Sequence, residues 1–75
     1  MKVEKELLVA LLGEIHSHVA EAAAIAKASE ACARDGFIDK AFTIALDVEL
    51  LLFDANNLLQ AASVINRRSG PERES

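Results

Sequence analysis

The sequence predicts an all-α chain folded as an antiparallel two-helix hairpin, expected to dimerise into a four-helix bundle. Three observations predict it. Strong helix formers fill both halves of the 75 residues, and apart from a lone Gly13 the only breaker cluster before Gly70-Pro71 is Asp35-Gly36. Apolar residues recur in each half at alternating steps of three and four. The apolar stripes are also wider than a single helix-helix contact can cover.

The first helix is expected over about 3–34. Its seam reads Leu8, Leu12, Ile15, Val19, Ala22, Ala26, Ser29 and Ala33, a heptad pattern that puts small residues at the end nearest the turn. Those small residues predict a close helix approach there. Leu11, Ile25 and Cys32 flank the seam on one side, Val9 and Ala23 on the other.

The turn is expected at Asp35-Gly36. Gly36 takes the left-handed conformation that ends a helix without a Cβ penalty, and Phe37 is placed to close over the last turn. Asp39 then offers an N-cap, unless Phe37 or Ile38 is already helical. So short a connection makes the two helices antiparallel neighbours.

The second helix is expected over about 38–67, with the seam Ala41, Ile44, Val48, Leu51, Ala55, Leu58, Ala62 and Ile65. Ala45, Leu52 and Leu59 flank it. A separate stripe, Leu46, Leu50 and Phe53, continued weakly by Val64, points away from the first helix. Residues 68–75 read as a disordered polar tail with no apolar anchor besides Pro71. The hairpin over 1–67 is one domain, and its flanks ask for two more helices. A second copy under two-fold symmetry is the simplest source. The relative direction of the two hairpins stays open.

Composition bounds the function. One Cys excludes a disulfide framework and a four-Cys zinc module. Eight basic and twelve acidic residues give a net charge of −4, and residues 1–66 carry five basic against ten acidic. An acidic body disfavours binding to nucleic acid. The longest uninterrupted apolar runs, Leu7–Leu12, Ala22–Ala26 and Leu50–Phe53, fall far short of a membrane span, and no secretory cleavage pattern follows the start. A cytoplasmic protein with a reduced thiol and no membrane contact is expected.

No catalytic, cofactor-binding or metal-ligating residues are assigned. His16 and His18 diverge by roughly 200° on a helix and cannot share a metal. Glu14 and His18 face the same way, but Ser17 stands where a Glu-x-x-His motif needs its imidazole. With the turn near Gly36, His18 falls opposite Asp54, and the two are expected to form a polar pair. Asn56 or Asn57 is a candidate for a buried residue that sets register, in a polar row with Glu49 and Ser63. Cys32, among alanines and with no nearby His, reads as an inert buried thiol. Phosphate loops and nucleophile elbows are absent from the sequence.

The remaining reading is a non-enzymatic helical interaction module (an adaptor, small chaperone or regulator) working as a homodimer, with a heterologous protein as a further partner. Its interface candidates are Leu46, Leu50, Phe53, Leu52, Leu59, Leu11 and Ile25. One alternative is a nucleic-acid-binding hairpin dimer using the Arg67/Arg68 end; a more remote one is a small metal-binding helical bundle. The architecture is similar in shape to hairpin dimers that regulate plasmid copy number. No motif accompanies the likeness, and the acidic residues Glu6, Glu14, Glu21 and Glu30 on the first helix are wrong for RNA.

Overall fold

The computed structural model describes residues 2–69, with side chains from Glu4 to Arg68. It consists of two α-helices packed side by side, α1 (Lys2–Arg34) and α2 (Ile38–Ser69). Helices of 33 and 32 residues are about 50 Å long at 1.5 Å per residue, and the molecule is a rod of 54 × 17 × 14 Å. Its radius of gyration is 17.0 Å, against about 11 Å for a globular domain of this length. Arg68 and Ser69 belong to α2, which therefore runs past Arg67; the rest of the expected tail, 70–75, lies outside the described residues.

The link between the helices is short, residues 35–37. Gly36 has φ of 92°, a left-handed value that other residues reach only with strain. Its N–H donates to the Ala33 carbonyl at 3.0 Å, and the Phe37 N–H donates to the Cys32 carbonyl at 3.0 Å. These paired bonds are a Schellman motif, and they satisfy carbonyls that the helix end leaves open. Phe37 then starts the next helix: its carbonyl accepts from the Ala41 N–H at 2.9 Å. Asp39 consequently sits inside the first turn of α2 rather than at the cap, where it still complements the helix dipole. Phe37 is 61% exposed, so its ring does not close over α1 as the sequence led one to expect. Its backbone does the joining instead.

Among the described residues only alanines are buried. Ala22, Ala41, Ala55 and Ala62 are 4 to 6% exposed, and no large side chain among the described residues is fully enclosed. The close approach expected near the turn is present: the Ser29 hydroxyl on α1 donates across to the Ala41 carbonyl on α2 at 2.7 Å. A backbone carbonyl is reachable there because neither helix carries a bulky residue at the contact. The α2 seam is the one read from the sequence, with Ile44, Val48, Leu51, Leu58 and Ile65 half-buried between the alanines.

The α1 seam is rotated. Leu8, Ile15, Ala22 and Ser29 are inside, but the alternate positions are Leu11, His18, Ile25 and Cys32, all half-buried. Leu12, Val19 and Ala26 are exposed, and Ala33 is half-buried. Both rows obey the three-four spacing, so spacing alone does not choose between them. The rotation puts an imidazole and a thiol at the contact and turns Leu12 and Val19 outward.

Candidate functional site

The rotation of α1 gives the hairpin two unlike long sides. On one, α1 presents the heptad row Leu12, Val19, Ala26 and Ala33, and α2 presents Ala45, Leu52, Leu59 and Asn66. The two rows border a shallow furrow along the rod. Its hollow at the open end, about 350 Å³, is lined by Leu8, Leu12, Leu59, Ala62, Ser63 and Asn66. A second hollow of about 190 Å³ lies at the turn end, where Ser29 and Ala33 on α1 meet Ile38, Ala41, Phe42 and Ala45 on α2. Leu12, Val19, Leu52 and Leu59 are each 44 to 53% exposed. Half-exposed branched side chains at heptad spacing on two adjacent helices leave an apolar stripe uncovered along this side of the hairpin.

The opposite side is edged with acids. Glu14 and Glu21 lie seven residues apart on α1, as do Asp47 and Asp54 on α2. Glu14, Glu21 and Asp47 are exposed, and Asp54 is half-buried beside the seam. His18 lies on this edge. Its Nδ1 meets the Glu14 carbonyl one turn back at 2.8 Å, and among the described residues no hydrogen bond or ion pair joins it to Asp54. Because a carbonyl only accepts, Nδ1 carries the proton. A local acceptor requires no ordering of a second helix, which is why it wins over the carboxylate expected across the hairpin.

A third surface covers the outside of α2. Leu46, Leu50 and Phe53 are 61 to 64% exposed there, and Phe42, at 69%, extends the stripe by one turn toward the hairpin bend. The sequence reading missed Phe42, although its place four residues before Leu46 marks it as part of the same row. The seven interface candidates therefore fall in three places. Leu11 and Ile25 belong to the contact within the hairpin, Leu52 and Leu59 to the furrow, and Leu46, Leu50 and Phe53 to the outer stripe.

The other singled-out residues are separate from these surfaces. Asn56 and Asn57 are exposed, so neither sets register within the hairpin. Cys32 is a free thiol, half-buried. No group of three His, Cys, Asp or Glu side chains among the described residues converges on a point that could hold a metal ion. Arg67 and Arg68 are exposed in the last turn of α2, where they complement the helix dipole.

By length and composition, α1 over Glu4–Arg34 is long and apolar enough to cross a membrane, with a mean hydropathy of 1.3 in its best window. The sequence reading counted only uninterrupted runs, whereas the length and mean hydropathy of α1 include the alanines between its charges, as those of a core helix in a bundle also do. Every 18-residue window between Glu6 and Lys27 contains Glu14 and Glu21 as well as both histidines. A charged side chain near the centre of a span costs roughly 2.5–3.5 kcal/mol, so a membrane location requires Glu14 to be neutralised or paired.

No family model matches the chain, and comparison with curated proteins and with solved structures finds no match.

Proposed function

We propose that this chain is a non-enzymatic helical interaction module that works as a homodimer, two hairpins closing a four-helix bundle through the apolar furrow. The observation that carries the reading is the asymmetry between what the hairpin buries and what it exposes. It encloses four alanines and leaves Leu12, Val19, Leu52 and Leu59 half in water on one side. The chain exposes 5737 Å², whereas a compact protein of 8.1 kDa exposes roughly 4500 Å². The excess is on the order of 1000 Å² per chain, comparable to the roughly 800 Å² that each partner contributes to a stable interface.

A second copy suits the furrow because a two-fold contact sets apolar rows against apolar rows. Its large side chains, Leu12, Val19, Leu52 and Leu59, lie toward the open end and its small ones, Ala26, Ala33 and Ala45, toward the turn; Glu30 is the one charged residue lining its two hollows, so an isologous contact meets little like-charge repulsion. Closing it buries Leu12, Val19, Leu52 and Leu59 on each chain, worth roughly 1.5–3 kcal/mol per fully covered side chain. Those gains offset the cost of association, which the alanine core of the single hairpin has no surplus to meet.

The test is sedimentation equilibrium of the full chain at micromolar concentration, with helicity followed by circular dichroism. The expected mass is twice the 8.1 kDa of one chain. A folded helical species at the mass of one chain overturns the reading.

A further inference from the structure

The furrow leaves the outer face of α2 without an occupant. Ala55 faces α1 and Leu46 stands nine residues before it, two and a half turns away, so Leu46, Leu50 and Phe53 lie opposite the helix contact, while Phe42 ends the stripe at the turn, where it also lines the furrow's hollow. In a bundle closed through the furrow Leu46, Leu50 and Phe53 still point outward. The stripe holds the most exposed of the large apolar side chains of α2.

We propose that this stripe docks one amphipathic helix of another protein, a helix whose apolar face is bordered by Lys and Arg. The proposal takes the furrow as the self-contact, and in that it rests on the reading above. Size argues for a single helix. Phe42 to Phe53 spans about 16 Å, three turns, and offers on the order of 400 Å² of apolar surface. That is half of what a globular partner contributes to a standard interface, and suited to a helix reading i, i+4, i+8 and i+11 anchors.

Charge argues for the partner's chemistry. Between Ala41 and Asn66 the only charged residues of α2 are Asp47, Glu49 and Asp54. Asp47 stands at one border of the stripe and Glu49 at the other, both exposed, with no base between them and the last turn. A helix with Lys or Arg beside its apolar positions pairs with both borders, and its cations also reach the faces of Phe42 and Phe53. The same acids exclude the competing occupants. A second copy docking stripe to stripe sets Asp47 and Glu49 against like charges, an anionic lipid surface repels them, and so does a phosphate backbone.

The experiment measures binding of two fluorescent synthetic peptides to the intact protein. Both are amphipathic helices with Leu at the inner positions; one carries Lys on both borders, the other Glu. The expected result is that the Lys peptide binds and the Glu peptide does not. Leu46→Gln with Leu50→Gln, which leaves every charge in place, should weaken the Lys peptide by about tenfold or more, the equivalent of about 1.4 kcal/mol. Asp47→Lys with Glu49→Lys should reverse the preference between peptides. Four results overturn the proposal: neither peptide binds; both bind alike; the Lys peptide ignores the Leu46/Leu50 change, which reduces the effect to bulk charge; or the protein binds vesicles of phosphatidylcholine through these same leucines. Dissociation of the Leu46/Leu50 variant into folded monomers also overturns it, because the stripe is then the self-contact. If the unaltered chain sediments as a folded monomer, the homodimer reading fails alone, and the peptide results still decide this one.

Discussion

The two long sides of the hairpin are built from the same two helices, yet one is apolar and the other acidic. On the furrow side, the rows Leu12-Val19 and Leu52-Leu59 stand in water with no charge between them. On the other side, Glu14, Glu21, Asp47 and Asp54 border the contact, and the half-buried row Leu11, His18, Ile25 and Cys32 lies beneath them. The difference comes from a small rotation of α1. Turning His18 and Cys32 toward α2 gives up some apolar burial within one chain, and it gathers the displaced Leu12 and Val19 beside Leu52 and Leu59. A hairpin optimised to stand alone would bury the leucine and the valine. The comparison teaches that the position of the seam within a wide apolar stripe decides which side of the hairpin stays apolar.

The strongest way to break this comparison is to charge the furrow. Leu52→Glu with Leu59→Glu removes two apolar anchors from each copy and buries acids in their place. At roughly 1.5–3 kcal/mol per leucine and a factor of ten per 1.4 kcal/mol, the proposed dimer should weaken by several orders of magnitude. Sedimentation should then show a single chain at micromolar concentration, and an unchanged dimer would move the self-contact elsewhere.

A smaller effect is expected at the line dividing the two sides. Ala22 is 4% exposed and sits where α1 meets α2. Ala22→Leu inserts three heavy atoms where the buried side chain is a single methyl, forcing the helices apart. The expected loss is about 1–3 kcal/mol, read as a lower urea midpoint at constant slope. A midpoint equal to that of the unaltered chain would mean that the helices are not closely packed at this point.

The smallest effect belongs to the acidic side. Glu14→Lys with Glu21→Lys changes two exposed charges on the side away from both the furrow and the outer stripe of α2. Stability should stay within about 0.5 kcal/mol and the sedimenting mass should not change. Dissociation of this variant would show that the partner covers the acidic side, reversing the assignment of the two faces.

Much of the architecture was legible before any coordinates. The single breaker at Asp35-Gly36 between two long runs of helix formers implies a hairpin, because a left-handed Gly lets a chain turn back on itself in so few residues. The α2 seam was legible because Ile44, Leu51, Leu58 and Ile65 offer more apolar surface than the competing row Ala45, Leu52, Leu59 and Asn66 at the same spacing. The α1 seam was legible only at Leu8, Ile15, Ala22 and Ser29. Between them, Leu11, His18, Ile25 and Cys32 compete with Leu12, Val19, Ala26 and Ala33 at equal spacing. Hydropathy favours the second set, and the folded chain uses the first. His18 was placed at the correct edge, but its partner was sought across the hairpin when a backbone carbonyl lay one turn away.

By itself the sequence determined the number of helices, the bend between them and the inner line of α2. These follow from local preferences: the conformational freedom of Gly36, helix propensity, and a period of 3.6 residues that a single helix carries along its own length. Only the tertiary structure decided how α1 rotates against α2, and with it which leucines face water and which side stays apolar. That choice is a property of two surfaces meeting. A heptad stripe wide enough to offer two seams leaves it open until the second helix is in place.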